Sequence, residues 1–135
     1  MFSAYYPLLQ VTDLAASAAF YRELFGFTDV FVSDWYIHLR APNGTQELAF
    51  ITYDHATIPP EGRVVTSGLV LSFEVADAGA EATRFAAKGV KITQALRDEV
   101  FGQRHFIAID PNGILLDVIT TIEPDPDWLA AQGAQ

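Results

Sequence analysis

Ala108-Ile109-Asp110-Pro111-Asn112-Gly113-Ile114-Leu115-Leu116-Asp117-Val118-Ile119 is the stretch that decides the fold. It reads as two strands joined at Pro111-Asn112-Gly113. Proline presets φ for the second position of a type I turn, and glycine takes the left-handed position after it. The expected product is a hairpin with a glycine bulge. The same signature occurs earlier as Ala41-Pro42-Asn43-Gly44, between Tyr36-Ile37-His38-Leu39 and Leu48-Ala49-Phe50-Ile51. Two copies of one hairpin predict a duplicated unit.

The segments around each hairpin repeat as well. In the first half, Tyr5 to Val11 is apolar and β-prone, and Asp13 is placed to cap a helix over Leu14 to Phe25. Leu14, Ala18, Tyr21 and Phe25 fall at helical spacing, and Gly26 is the expected stop. A short strand over Thr28 to Val32 precedes the hairpin strands Trp35 to Ala41 and Gln46 to Tyr53. Residues 54–67 have no periodicity and read as a linker. The second half then gives a strand over Gly68 to Val75 and a cap at Asp77. A helix over Ala80 to Lys88 ends at Gly89, a short strand covers Val90 to Ala95, and the hairpin strands are Gln103 to Ile109 and Ile114 to Thr121. The predicted class is α+β: two tandem βαβββ modules, about 5–53 and 68–121, with a tail over 122–135, in one domain whose curled sheets surround a cleft. Trp128 in the tail is expected to be exposed unless it packs on a neighbouring module or subunit.

Composition narrows the function. Seventeen acidic against eight basic residues give a net charge of -9, which argues against a nucleic-acid partner. No run approaches the length of a membrane span, so no membrane partner is expected. There are no cysteines, which excludes disulfides and thiolate metal sites and fits a cytoplasmic protein. The opening Met1-Phe2-Ser3-Ala4-Tyr5-Tyr6 lacks a basic start and an apolar core, and predicts no export signal.

The first module carries Val11-Thr12-Asp13-Leu14, Ser17, Phe20-Tyr21 and Leu24-Phe25-Gly26-Phe27. The second carries Phe73, Val75, Asp77, Gly102, Arg104, Phe106 and Asp110-Pro111-Asn112-Gly113. With two βαβββ modules, this pattern resembles the vicinal oxygen chelate superfamily, which includes glyoxalase I, bleomycin-resistance proteins, extradiol dioxygenases and fosfomycin-resistance enzymes. The resemblance implies a cleft in which metalloenzymes of the family hold a divalent ion at four inward positions, one from the first and one from the last strand of each module. Counting from the matched motifs puts these at Tyr6, Phe50, Val70 and Asp117. Only Asp117 is an ordinary ligand, and a catalytic site needs three or more protein groups. No cofactor is therefore expected. Nickel, zinc, manganese or iron enters only if other residues replace the missing set.

Hairpin geometry orders the remaining candidates. If both turns carry the glycine bulge, Ile107 faces Asp117 and Tyr36 faces Phe50, and His105 shares the cleft face with Asp117 as a diagonal neighbour. His38 then lies on the corresponding face of the first module. Three readings stay open. His105 and Asp117 form a general-base dyad. His38 joins them around a displaced metal. Or both histidines are ordinary hydrogen-bonded strand residues, with Asp117 paired to Arg104 or Arg40. His55, beside Asp54, is expected to be solvated. Tyr6, Tyr36 and Phe50 are expected to line the cleft, with Trp35, Tyr53, Phe101 and Phe106 nearby, an arrangement suited to a planar apolar ligand. Glu47 and Glu99 add charge at the rim. Arg104 either meets an anionic ligand group at the cleft mouth or pairs with Asp98 or Glu99. The leading expectation is a metal-independent binder of a planar aromatic, in particular cationic, compound, resembling the bleomycin-resistance branch and its role in antibiotic resistance. The alternative is a lyase, isomerase or dioxygenase of the same superfamily. A homodimer is expected in either case.

Overall fold

Each half of the chain builds one sheet backed by one helix. The computed structural model describes residues 1–133, and these divide into two compact units that meet at Ser67 and Gly68. In the first, β1 (Leu8–Val11), α1 (Leu14–Phe25), β2 (Thr28–Val32), β3 (Tyr36–Arg40) and β4 (Glu47–Thr52) form a sheet of order β1-β4-β3-β2. β1 runs parallel to β4, and the other pairs are antiparallel. Asp13 begins α1 by accepting a hydrogen bond from the Ala16 amide at 3.0 Å. Gly26 ends it at φ +74°, a left-handed conformation that favours glycine. Leu9, Val11, Leu39, Phe50, Ala18 and Tyr21 are fully buried. The Phe50 ring lies 5.4 Å from that of Tyr21, so Phe50 and its directly opposed partners Ile37 and Leu9 face the helix. Burying each large side chain contributes about 1.5–3 kcal/mol.

The second unit repeats this plan. β5 (Val70–Glu74), α2 (Ala78–Ala87), β6 (Ile92–Glu99), β7 (Gln103–Ile109) and β8 (Leu115–Thr121) give a sheet of order β5-β8-β7-β6. Asp77 caps α2 through the Ala80 amide at 3.0 Å. Phe85 of α2 meets Phe106 edge-on at 5.2 Å, which places Phe106 in the core rather than near the expected cleft. β6 runs beyond the expected short strand to Glu99, with register irregularities on either side of Gln94. A last helix, α3 (Pro126–Ala131), follows.

The two hairpins differ by one residue. In the second, Asp110 and Ile114 close a three-residue turn, and Ile107 opposes Asp117 as expected. In the first, Ala41 bonds Gln46, so the turn holds four residues and Tyr36 opposes Ile51 instead of Phe50. The Asn43 side-chain oxygen accepts from the Thr45 amide at 3.0 Å, holding the longer loop. A one-residue change of register reverses which face every side chain of a strand occupies. This corrects the placement of Phe50, which lies against α1.

Both the linker and the described part of the tail are tied to the sheets. Gln10 binds the Thr66 hydroxyl through its amide at 2.8 Å and the Gly62 carbonyl through Nε2 at 2.8 Å. His55, expected in solvent, stacks on Trp35 at 4.0 Å. In the tail, the Ile122 amide donates to the Gly102 carbonyl at 2.9 Å and the Asp125 amide to Val100 at 2.8 Å. Trp128 is half-buried, 6.2 Å from Phe101.

Candidate functional site

The sheet faces turned away from α1 and α2 carry His38 and His105 with their acidic partners. In the first unit, alternation puts Tyr36, His38 and Arg40 of β3 on that face, opposite Ile51, Ala49 and Glu47 of β4. His38 Nε2 lies 2.6 Å from Glu47 Oε1, and Nδ1 lies 2.9 Å from the Tyr36 hydroxyl. An ionised carboxylate only accepts, so Nε2 carries the proton and Nδ1 accepts from Tyr36. Arg40 holds the other Glu47 oxygen at 3.0 Å. These hydrogen bonds, that of His38 first and that of Arg40 second, keep the Glu47 carboxyl below the usual range. Burial, the Tyr6 hydroxyl and the Glu47 charge push the Tyr36 phenol up to about 12, so it stays protonated. The Tyr6 ring meets His38 edge-on at 4.4 Å. Tyr6, Leu8 and Phe31 leave a broad apolar border exposed on the same face.

The second unit holds a different cluster. His105 Nδ1 lies 2.7 Å from Asp117 Oδ1, and Nε2 lies 2.8 Å from Glu99 Oε2. Carboxylates on both sides require both ring nitrogens to donate, so His105 is an imidazolium. Burial opposes that charge, but the Glu99 and Asp117 contacts outweigh it and raise the pKa above the ordinary histidine value. Arg97 binds Glu99 at 2.6 Å, and Glu99 is held below the usual carboxylate range by His105 and then Arg97. Ile107 and Val70 share this face with Asp117. Gln94, opposite Ile107, has its Nε2 buried without an acceptor among the described residues.

The structure thus brings Tyr6, Tyr36 and His38 together in one unit, and His105, Asp117, Ile107 and Val70 in the other. Arg104 takes the second of its two expected arrangements, pairing with Asp98 and away from the cleft mouth. It alternates with His105 onto the α2 side and binds Asp98 through two hydrogen bonds, at 2.7 and 2.9 Å. Arg40 pairs with Glu47, leaving His105 as the partner of Asp117. Glu47 and Glu99 turn out to be the direct histidine partners. Glu47 is legible once β4 is set in its true register, whereas the irregular β6 hides Glu99. The register also moves the position in the first sheet that corresponds to Asp117 from Phe50 to Ala49, since Ala49 opposes Leu8 and His38 as Asp117 opposes Ser72 and Ile107. Alanine offers no donor either. Among the described residues no three His, Cys, Asp or Glu side chains converge as a metal set, and Glu99 and Asp117 sit on opposite edges of the His105 ring.

The family model of the Glyoxalase/Bleomycin resistance protein/Dioxygenase superfamily matches residues 5–118. The chain belongs to this superfamily. No curated protein matches it by sequence. Among solved structures, a lactoylglutathione lyase from Agrobacterium tumefaciens is 23% identical, with 88% of this chain and 94% of that one covered and a TM-score of 0.72. A glyoxalase/bleomycin resistance protein/dioxygenase family enzyme from Burkholderia phytofirmans PsJN is 19% identical over 87% and 97%, with a TM-score of 0.75. A bleomycin resistance determinant encoded on the transposon Tn5 is 23% identical over 89% and 98%, with a TM-score of 0.64. At these identities the likeness is one of fold, and the superfamily's shared scaffold leaves the chemistry to the site. No helix among the described residues is long and apolar enough to cross a membrane.

Proposed function

We propose that this superfamily member binds a planar aromatic compound without a metal ion, cationic compounds being favoured by the net charge of -9. The observation that carries the reading is the exposed apolar border of the first sheet, Tyr6, Leu8 and Phe31, around buried His38 and its half-buried partners Tyr36 and Glu47. Flat rings gain area burial and edge or face contacts on such a border, and a few fixed polar groups orient them.

Turnover by His105 and Asp117 ranks below binding. With a carboxylate against each ring nitrogen, neither is left to accept a substrate proton. A metal-dependent lyase, isomerase or dioxygenase needs donors that Tyr6, Ala49 and Val70 do not provide. We expect two copies to associate, which sedimentation equilibrium tests.

The test of function is titration with acridine orange, followed by fluorescence and calorimetry, before and after dialysis against a chelator. Saturable binding that survives chelation and weakens at least tenfold in Tyr6→Ala or Phe31→Ala supports the reading. Binding lost on chelation, or none at all, overturns it.

A further inference from the structure

Resting on the ligand-binding reading of the first sheet, we infer that its occupant is a protonated aromatic nitrogen base that gives its N–H hydrogen to the Tyr6 hydroxyl, and that quaternary cations of the same shape are discriminated against. The count of hydrogens along the row leads there. The Glu47 carboxylate, held by Arg40, accepts from His38 Nε2 at 2.6 Å, so His38 Nδ1 carries no hydrogen and accepts from the Tyr36 hydroxyl at 2.9 Å. That contact takes the one hydrogen of Tyr36. Tyr36 also bonds the Tyr6 hydroxyl. With its own hydrogen spent it can only accept there, so Tyr6 gives up its hydrogen as well. Tyr6, whose ring lies 4.4 Å from that of His38, is exposed. The row therefore meets solvent as an oxygen with lone pairs and no hydrogen to give.

Each donation along such a chain polarises the donating oxygen and makes it a better acceptor. Tyr6 Oη, at the outer end of the row from Glu47 through His38 and Tyr36, is strengthened in this way toward an incoming donor. A neutral N–H gains an ordinary hydrogen bond there, whereas an N–H⁺ gains a charge-assisted one of roughly twice the strength. The surrounding rings favour the same charge. Phe31 opposes His38 across β2 and β3, and its ring lies 6.2 Å from that of Tyr36. The faces of Tyr6 and Phe31 thus offer π-density to a cation. Arg40, the cation of the row, stands about 13 Å from Tyr36 along the strand and is turned to Glu47. An acceptor-bearing ligand finds no hydrogen at Tyr6. A quaternary nitrogen keeps the charge but brings a methyl group where the hydrogen bond would form, so the site separates the two at equal charge and nearly equal shape.

The probes are acridine orange, whose only N–H is at the ring nitrogen, and its 10-methyl derivative, which has none. Both are monocations at about pH 8, above the ordinary histidine range, and binding is followed by fluorescence and calorimetry. The wild-type protein is expected to hold acridine orange about tenfold more tightly than the methyl derivative, as one charge-assisted hydrogen bond implies. In Tyr6→Phe, which keeps the ring, the two dyes are expected to bind within about twofold of each other. Xanthone, flat and neutral with a carbonyl acceptor and no N–H, tests the direction of the row. Tyr36→Phe frees the Tyr6 hydrogen and is expected to tighten xanthone by about threefold or more. Circular dichroism checks that both variants are folded. Equal affinity of the wild type for the two dyes overturns the inference and leaves the binding reading standing, and binding of neither dye overturns both. A preference that persists in Tyr6→Phe comes from the bulk of the methyl group and overturns the role of Tyr6. Xanthone affinity unchanged by Tyr36→Phe overturns the hydrogen assignment.

Discussion

Replacing Asp117 by Asn removes one negative charge from the His105 cluster and keeps the shape. In the wild type, the raised pKa of His105 means that its contribution to stability is fully present below the ordinary histidine value, about 6.5, and is lost as pH rises through the higher folded value. Glu99 works in the opposite sense, contributing above its ordinary value and losing that contribution as pH falls through the depressed one. At about pH 6 both terms are in place. His105 is buried, 2.7 Å from Asp117. Converting a charge-assisted hydrogen bond of this kind to a neutral one costs about 1.5–3 kcal/mol at that pH. Well above the folded pKa the wild-type imidazole has one hydrogen for two carboxylates, so one carboxylate faces a lone pair. The side-chain amide of the Asp117→Asn variant then donates where the carboxylate cannot, and the difference between the proteins is expected to shrink or change sign. Urea unfolding at a series of pH values, with the histidine signals followed by NMR, measures this directly. An equal loss at every pH, or no loss near pH 6, refutes the imidazolium assignment.

Three further outcomes follow from the packing. Gly102→Ala places a Cβ 2.9 Å from the Ile122 carbonyl oxygen and 3.2 Å from Pro124 at φ +102°; a loss of about 1–3 kcal/mol in thermal unfolding is expected, with faster proteolysis of the tail after 122. Phe50→Ala opens a cavity against Tyr21 and is expected to cost about 3–5 kcal/mol, while leaving ligand affinity of the folded protein within twofold. Asp110→Ala removes the acceptor of the Asn112 and Ile114 amides at 2.7 and 2.9 Å, and is expected to cost about 1–3 kcal/mol by urea unfolding, most of it from the orphaned buried amide of Ile114.

The fold was legible because its signals are local. Asp13 and Asp77 cap helices from three residues away, and Pro-Asn-Gly at 111–113 sets a hairpin without help from the rest of the chain. The first hairpin carries the same tripeptide, yet Asn43 bonds Thr45 and lengthens the turn by one residue. That choice is made by side chains in three dimensions, and it decided whether Phe50 or Ala49 stands beside His38. His105 and Asp117 were found because their strands keep the simple register. Their third member, Glu99, was hidden because β6 slips twice before reaching it. Arg104 was legible as a partner of Asp98, and alternation explains why it turns away from His105 to the other side of the sheet.

Arg97, Glu99, His105 and Asp117 stand in a row with charges of alternating sign. Such a row sums to zero and acts on its surroundings as a multipole, whose field dies away faster than that of a single charge. A molecule approaching the second sheet feels the row only at contact, whereas the remaining acidic surface reaches out to about a Debye length. Added salt should therefore slow the long-range approach of a cation and leave the short-range fit to this sheet almost untouched.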